Sequence, residues 1–362
     1  MDFTFTEDQQ LLADSVATFL HREVTPERIR ASWEGEGSDT RLWQQLVELG
    51  LPAMLVPEEH GGLGMNELDF IQIAQECGRV ALAEPLVEMA MIATPMLAQL
   101  AAGSQPCARV LQQIAAGEAR VAIGHPLNPA VADAGIADWL LLASGREVHL
   151  VPSDAATLIR QDSVDPSRRL YTPEWDRTAP TYRVAGEEAG AAAWCAALNR
   201  GAVLNAALLL GLAQGMVAQS VTYAGDREQF GRPIGANQAV KHHMANCAVQ
   251  AEFARSPIYR AAYAVAQDPA RAHIAASHAK LAAGEAALLA AKNAIQVHGA
   301  MGYTWECNLH IWAKRAWALE KNWGDAGFHQ ERLHAWLLED TTDIGAEHTF
   351  DYPAPEALDS AA

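Results

Sequence analysis

The sequence predicts a mainly helical α+β fold: an N-terminal helical domain, a small middle β-domain and a C-terminal four-helix bundle. Three observations predict it. Helical apolar periodicity occupies residues 1–118, and short apolar runs bounded by turn residues occupy 119–185. Helical periodicity then returns and continues through 186–340.

The N-terminal domain opens with Thr6-Glu-Asp, a helix cap followed by an apolar periodic run through Phe19. Asp39 to Leu49 gives a second amphipathic segment. Leu51 to Gly64 is punctuated by Pro and Gly and reads as a loop. Its Val56-Pro-Glu-Glu-His-Gly-Gly-Leu-Gly string follows no strand and matches no phosphate-binding glycine pattern. Helical periodicity resumes over Asn66–Val80 and Pro85–Ala102. In the middle domain, Arg120-Val-Ala-Ile-Gly, Trp139-Leu-Leu-Leu-Ala and Glu147-Val-His-Leu-Val-Pro predict strands, with Pro166, Pro173 and Pro180 at turns and edges.

The bundle begins with Ala189–Tyr223, rich in Ala and Leu and nearly free of charge. Asn199, Arg200, Asn205, Gln214 and Gln219 interrupt it too often for a membrane span, so it reads as the buried centre of a bundle. Helices over Asn237–Ala266 and Pro269–His298 follow, with a fourth from about Glu306. The tail 341–362, with Pro353, Pro355 and small residues, is expected to be disordered.

Composition narrows the function classes. The 362 residues are 50% apolar and 19% charged, a globular balance long enough for two or three domains. A net charge of -18 argues against a broad nucleic-acid surface, while leaving room for an anionic ligand held by a few arginines. The five cysteines are scattered with no C-x-x-C pair, so neither a disulfide framework nor a metal site is expected. The acidic N-terminus lacks a signal-peptide core, and a cytoplasmic location is expected.

Two strings carry the chemistry. Asp226-Arg-Glu-Gln-Phe-Gly-Arg-Pro-Ile-Gly-Ala-Asn-Gln-Ala-Val-Lys-His joins two long helices and presents Arg227, Phe230, Arg232 and Gln238. It offers a guanidinium for a phosphate and an aromatic face, or else it is a capped helical hairpin with solvent-exposed arginines. Ala294-Ile-Gln-Val-His-Gly-Ala-Met-Gly-Tyr-Thr-Trp-Glu-Cys-Asn-Leu-His ends a helix at His298-Gly299 and opens a glycine loop. That loop admits close ligand approach, or is an ordinary glycine C-cap.

In this order and spacing, the strings resemble the acyl-CoA dehydrogenase family, from Met1 to about Leu338. The resemblance implies FAD-dependent α,β-dehydrogenation of an acyl-CoA thioester, with an electron-transfer flavoprotein as acceptor. It implies that Arg227 contacts the FAD pyrophosphate of a neighbouring subunit, with Gln229 and Phe230 around the adenine half and Gln238 a further contact from the next helix. Gln296 and Gly299 match the loop holding the adenosine–pyrophosphate region, although the family's second glycine there is Ala300.

The family's catalytic carboxylate is missing from both of its usual places. Counting from Gly302, one of them falls on Trp323, and the first bundle helix has no Asp or Glu between Ala189 and Gly225. Glu320 and Asp325 flank Trp323 as substitute bases, or as a helix-surface Glu and a cap-like Asp. The middle domain also lacks the family's Thr/Ser-rich flavin stretch. Together these departures resemble the base-less subunit of heteromeric α2β2 acyl-CoA dehydrogenases acting on steroid side chains. The implied partner is a second acyl-CoA dehydrogenase-like chain carrying the catalytic glutamate. The alternatives are a self-sufficient homo-oligomer using Glu320 or Asp325, and a non-catalytic assembly subunit.

Overall fold

The structure, a computed structural model, describes residues 4–34, 38–267 and 272–338. The tail expected to be disordered lies outside the described residues.

Seven helices come first: α1 (Glu7–Glu23), α2 (Pro26–Glu34), α3 (Thr40–Glu48), α4 (Glu67–Arg79), α5 (Leu86–Glu88), α6 (Thr94–Ala101) and α7 (Gln105–Ala115). The caps follow the sequence. Thr6 and Gln9 form a capping box on α1, Asp39 accepts from the Leu42 amide at α3, and Asn66 pairs with Asp69 at α4. A π-turn over Met89–Ala93 joins α5 to α6, and all five of its residues are buried.

The β region contains β1 (Val121–Gly124), β2 (Val131–Ala132), β3 (Trp139–Ser144), β4 (Glu147–Pro152), β5 (Thr157–Gln161), β6 (Leu170–Glu174) and β7 (Arg183–Ala185). They form a four-stranded sheet in the order β1-β3-β4-β7 and a three-stranded sheet in the order β2-β6-β5. The three predicted strands are β1, β3 and β4, which are buried. The others carry no signal. β5 is exposed at four of five positions, and β2 and β7 are very short.

The bundle follows as α8 (Glu187–Asp226), the hairpin β8 (Glu228–Gln229) and β9 (Arg232–Pro233), then α9 (Gln238–Gln267), α10 (Ala272–His298), α11 (Leu309–Lys321) and α12 (Ala326–Leu337). α8 is long and apolar enough to cross a membrane, yet 83% of its most apolar window is buried inside the protein. It packs on α4 with backbones in contact: a Cβ on Gly211 would lie 1.9 Å from the Gln75 carbonyl, and one on Gly78 2.2 Å from the Leu208 carbonyl. The predicted fourth helix is two helices. Trp323 (φ 58°) and Gly324 (φ 91°) take left-handed backbone between them, and Asp325 caps α12.

Buried ion pairs tie the regions together. Arg315 of α11 pairs with Asp165 of the β region and donates to the Leu82 carbonyl at 2.8 Å. Arg169 pairs with Asp133 at 2.6 Å and donates to the Ala83 carbonyl at 2.7 Å.

Candidate functional site

One end of the bundle collects the polar residues of both strings. α8 ends at Arg227, and the chain turns through the β8–β9 hairpin, where Gln229 pairs with Arg232. The turn residues Phe230 (φ 54°) and Gly231 (φ 76°) both lie in the left-handed region, the backbone a two-residue hairpin demands. Phe230 is thereby lifted to 100% exposure. Gly235 tucks against the Ala224 carbonyl, and Gln238 opens α9 beside the hairpin. The second string reaches the same end because Tyr223, in the last turn of α8, stacks on His298 at 4.3 Å. Gln296 and Gly299 flank His298 in the chain, so the stack brings the second string to the C-terminal end of α8. Gly299 has φ 59°, and a Cβ there would meet nothing within 4 Å. Arg227, Gln229, Phe230, Gln238, Gln296 and Gly299 are all exposed.

Trp323 has the opposite environment. Its side chain is fully buried, and it sits against Gly201 of α8, where a Cβ would lie 2.1 Å from the ring. Its indole N–H donates to Glu88 Oε1 at 3.2 Å, and Asn322 Nδ2 donates to the same oxygen at 2.9 Å. Its amide donates to Asn128 Oδ1 at 2.8 Å, and its carbonyl accepts from His329 Nε2 at 2.9 Å. The His125 ring lies 5.3 Å from the indole and 5.5 Å from Trp194. On both sides of Trp323, Lys280 Nζ donates to backbone carbonyls, Glu320 at 2.8 Å and Gly324 at 2.9 Å.

The electrostatics follow from burial. It raises the Glu88 carboxyl, with the Arg168 guanidinium opposing that shift. It lowers the His125 imidazole to about 4 and His329 to about 3, the latter helped by the Lys280 charge. It lowers Lys280 to about 8, opposed by Glu320. Beside Glu88 lies a small cavity of about 50 Å³, lined also by Glu84, Asp133, Arg168 and Arg315.

The two substitute bases are engaged elsewhere. Glu320 is buried, pairs with Lys321 at 2.9 Å and accepts from the Ala326 amide at 3.3 Å. Asp325 accepts from the Phe328 amide at 3.0 Å, and this hydrogen bond holds its carboxyl below the usual range. His298 accepts no visible task beyond its Tyr223 stack and a contact to the Ala294 carbonyl at 2.8 Å.

Residues 6–118 match the acyl-CoA dehydrogenase N-terminal domain, and residues 188–337 match the acyl-CoA dehydrogenase C-terminal domain. Acyl-CoA dehydrogenase IpdE2 of Mycobacterium tuberculosis (strain ATCC 25618 / H37Rv) is 33% identical over 313 residues, covering 86% of this chain and 91% of that protein. The chain belongs to the acyl-CoA dehydrogenase family. Two solved structures share the acyl-CoA dehydrogenase fold. The ChsE4-ChsE5 complex from Mycobacterium tuberculosis has a TM-score of 0.82 at 24% identity, covering 94% of this chain and 100% of that one. The Tcur3481-Tcur3483 steroid ACAD variant has a TM-score of 0.79 at 24% identity, covering 91% of this chain and 97% of that one.

For an acyl-CoA dehydrogenase chain, the residues around Trp323 are the ones that sequence reasoning missed. Glu88 had a signal, as a lone carboxylate in the apolar run Leu86–Ala93. Gly201 had another, as a glycine inside a long helix. His125, Asn128 and Lys280 carried none because their partners lie far away in the chain, and His329 carried none because the left-handed turn that returns it to the Trp323 carbonyl has no local signature.

Proposed function

We propose that this chain is the base-less subunit of a heteromeric FAD-dependent acyl-CoA dehydrogenase. It works with a second acyl-CoA dehydrogenase-like chain that carries the catalytic glutamate, and electron-transfer flavoprotein takes the electrons. Trp323 carries the reading. Abstracting an α-proton from a thioester needs a positioned carboxylate, and an indole cannot accept that proton. Glu320 and Asp325 make poor substitutes because one is held by Lys321 and the Ala326 amide and the other caps α12.

The exposed end of the bundle suits half of an FAD. Arg227 offers a charge-assisted contact for a pyrophosphate, Gly299 an open backbone approach, and Phe230 a bare aromatic face for the adenine. Gln229, Gln238 and Gln296 add amides around the same end. When bound, the flavin supplies the hydride acceptor. The pocket around Trp323 is filled by side chains and does not suit a flavin ring, so the ring belongs on the partner. A steroid side-chain thioester is the substrate class favoured, in keeping with the description of the Tcur3481-Tcur3483 neighbour, and both solved neighbours carry paired names.

The test is expression of the chain alone and together with its acyl-CoA dehydrogenase-like partner, reading mass and flavin absorbance. The expected result is a colourless lone chain and a yellow heterotetramer with about one FAD per pair. A yellow, homo-oligomeric lone chain that an acyl-CoA reduces would refute the proposal.

A further inference from the structure

The surroundings of Trp323 do more than remove a base. The pocket is bounded by α5 through Glu88, by the loop after β1 through His125 and Asn128, and by α8 through Gly201. An indole fills it. Gly201 is the residue that makes room, since any Cβ there would overlap the ring at 2.1–2.7 Å. Trp323 itself holds a left-handed backbone that a bulky residue adopts only when its surroundings over-determine it. Here they do. The amide, carbonyl and indole N–H are each bonded to a different part of the fold, and Lys280 fastens the carbonyls of Glu320 and Gly324 on either side. A residue that had merely lost its carboxylate needs none of this.

Shape decides what can enter. Trp323 is fully buried, its ring is seated against Gly201 and its indole N–H is held by Glu88, so the side chain itself occupies the space between α5 and α8.

Resting on the base-less reading above, we infer that Trp323 is a built-in plug: its indole, held by Glu88 and seated on Gly201, closes this chain's own reaction pocket to the acyl group of a CoA thioester. The chain is then closed by shape as well as inert by chemistry. Each pair of subunits takes one thioester, wholly on the partner's side. Glu88 acts as a positioning residue for the plug.

The experiment uses the full chain and its complex with the partner. Trp323→Gly removes the plug and is expected to lower the melting temperature by about 5–10 °C. Indole, which matches the lost volume, is expected to recover part of that loss in a saturable way, leaving wild type and Trp323→Phe unmoved. No response of Trp323→Gly to indole overturns the inference. Should Trp323→Gly fail to fold, Trp323→Phe gives a second reading. The emission that Trp323→Phe loses is expected to resist acrylamide; quenching as free as that of the exposed Trp305 overturns the plug. In the flavin-loaded complex, calorimetric titration with a non-reactive CoA thioester is expected to give one ligand per pair. Two per pair also overturns it. A lone chain that oxidises a thioester would instead sink the base-less reading, and the indole result would still stand or fall by itself.

Discussion

The bundle end is exposed and the Trp323 pocket is buried. At the bundle end, Arg227, Phe230, Gln238 and Gln296 are exposed, and the hairpin spends a left-handed Phe230 to hold an aromatic ring in solvent. In the pocket, a left-handed Trp323 is satisfied at its amide, carbonyl and side chain by residues of its own chain. Backbone strain is present in both places and serves different ends. Among the described residues, the exposed Phe230 finds no support from its own chain, whereas the buried Trp323 is bonded on every side by it.

Acid should separate the two regions most strongly. His125 and His329 sit neutral around Trp323, lowered to about 4 and about 3. Their stabilising effect is complete above the unfolded value of 6.5 and is lost as pH falls toward the folded values. At pH 5 each should cost about 2 kcal/mol, so about 4 together. Urea unfolding at pH 7.5 and pH 5 measures this, and His329→Gln should flatten the difference. An unchanged unfolding free energy would mean the histidines are not enclosed.

Next comes Gly201→Ala, which drives a methyl into the Trp323 ring. It should cost about 1–3 kcal/mol in wild type and much less in a Trp323→Gly background. Additive losses in the double mutant would show that α8 and the indole are not in contact.

Arg227→Ala tests the other side of the comparison. Loss of one charge-assisted contact should weaken FAD retention by the complex about 10-fold or more, while the unfolding free energy moves by less than about 0.5 kcal/mol. Gel filtration followed by flavin absorbance reads the first, and urea unfolding of the lone chain reads the second. Equal FAD retention would favour a subunit that only stabilises its partner.

The smallest effect belongs to Asp325→Ala. Losing the α12 cap should cost about 1 kcal/mol, with dehydrogenase activity of the complex within about twofold of wild type. Asp325→Asn, which keeps a capping oxygen, should be silent in both assays. A collapse of activity in Asp325→Asn would instead make Asp325 a base.

The backbone of the bundle end was legible because it is set locally. Arg227 to Phe230 lie in one short turn, and Gln296 to Gly299 close one helix. The order of turn, glycine and aromatic is written in consecutive positions. The same locality made α1, α3, α4 and the buried strands β1, β3 and β4 readable from caps and apolar periodicity. β5 escaped because it buries no face, and the split between α11 and α12 escaped because a tryptophan in left-handed backbone has no local signature.

The sequence by itself determined the family, the helix–strand–helix order and the lack of a carboxylate at Trp323. What fills the pocket was decided by tertiary structure alone. Glu88 and Trp323 are 235 positions apart, and Trp323 and Asn128 are 195 apart. Periodicity and caps reach only a few residues along the chain. Whether a tryptophan lies loose on a surface or seals a pocket depends on which backbone recedes to receive it, and here that is α8 at Gly201.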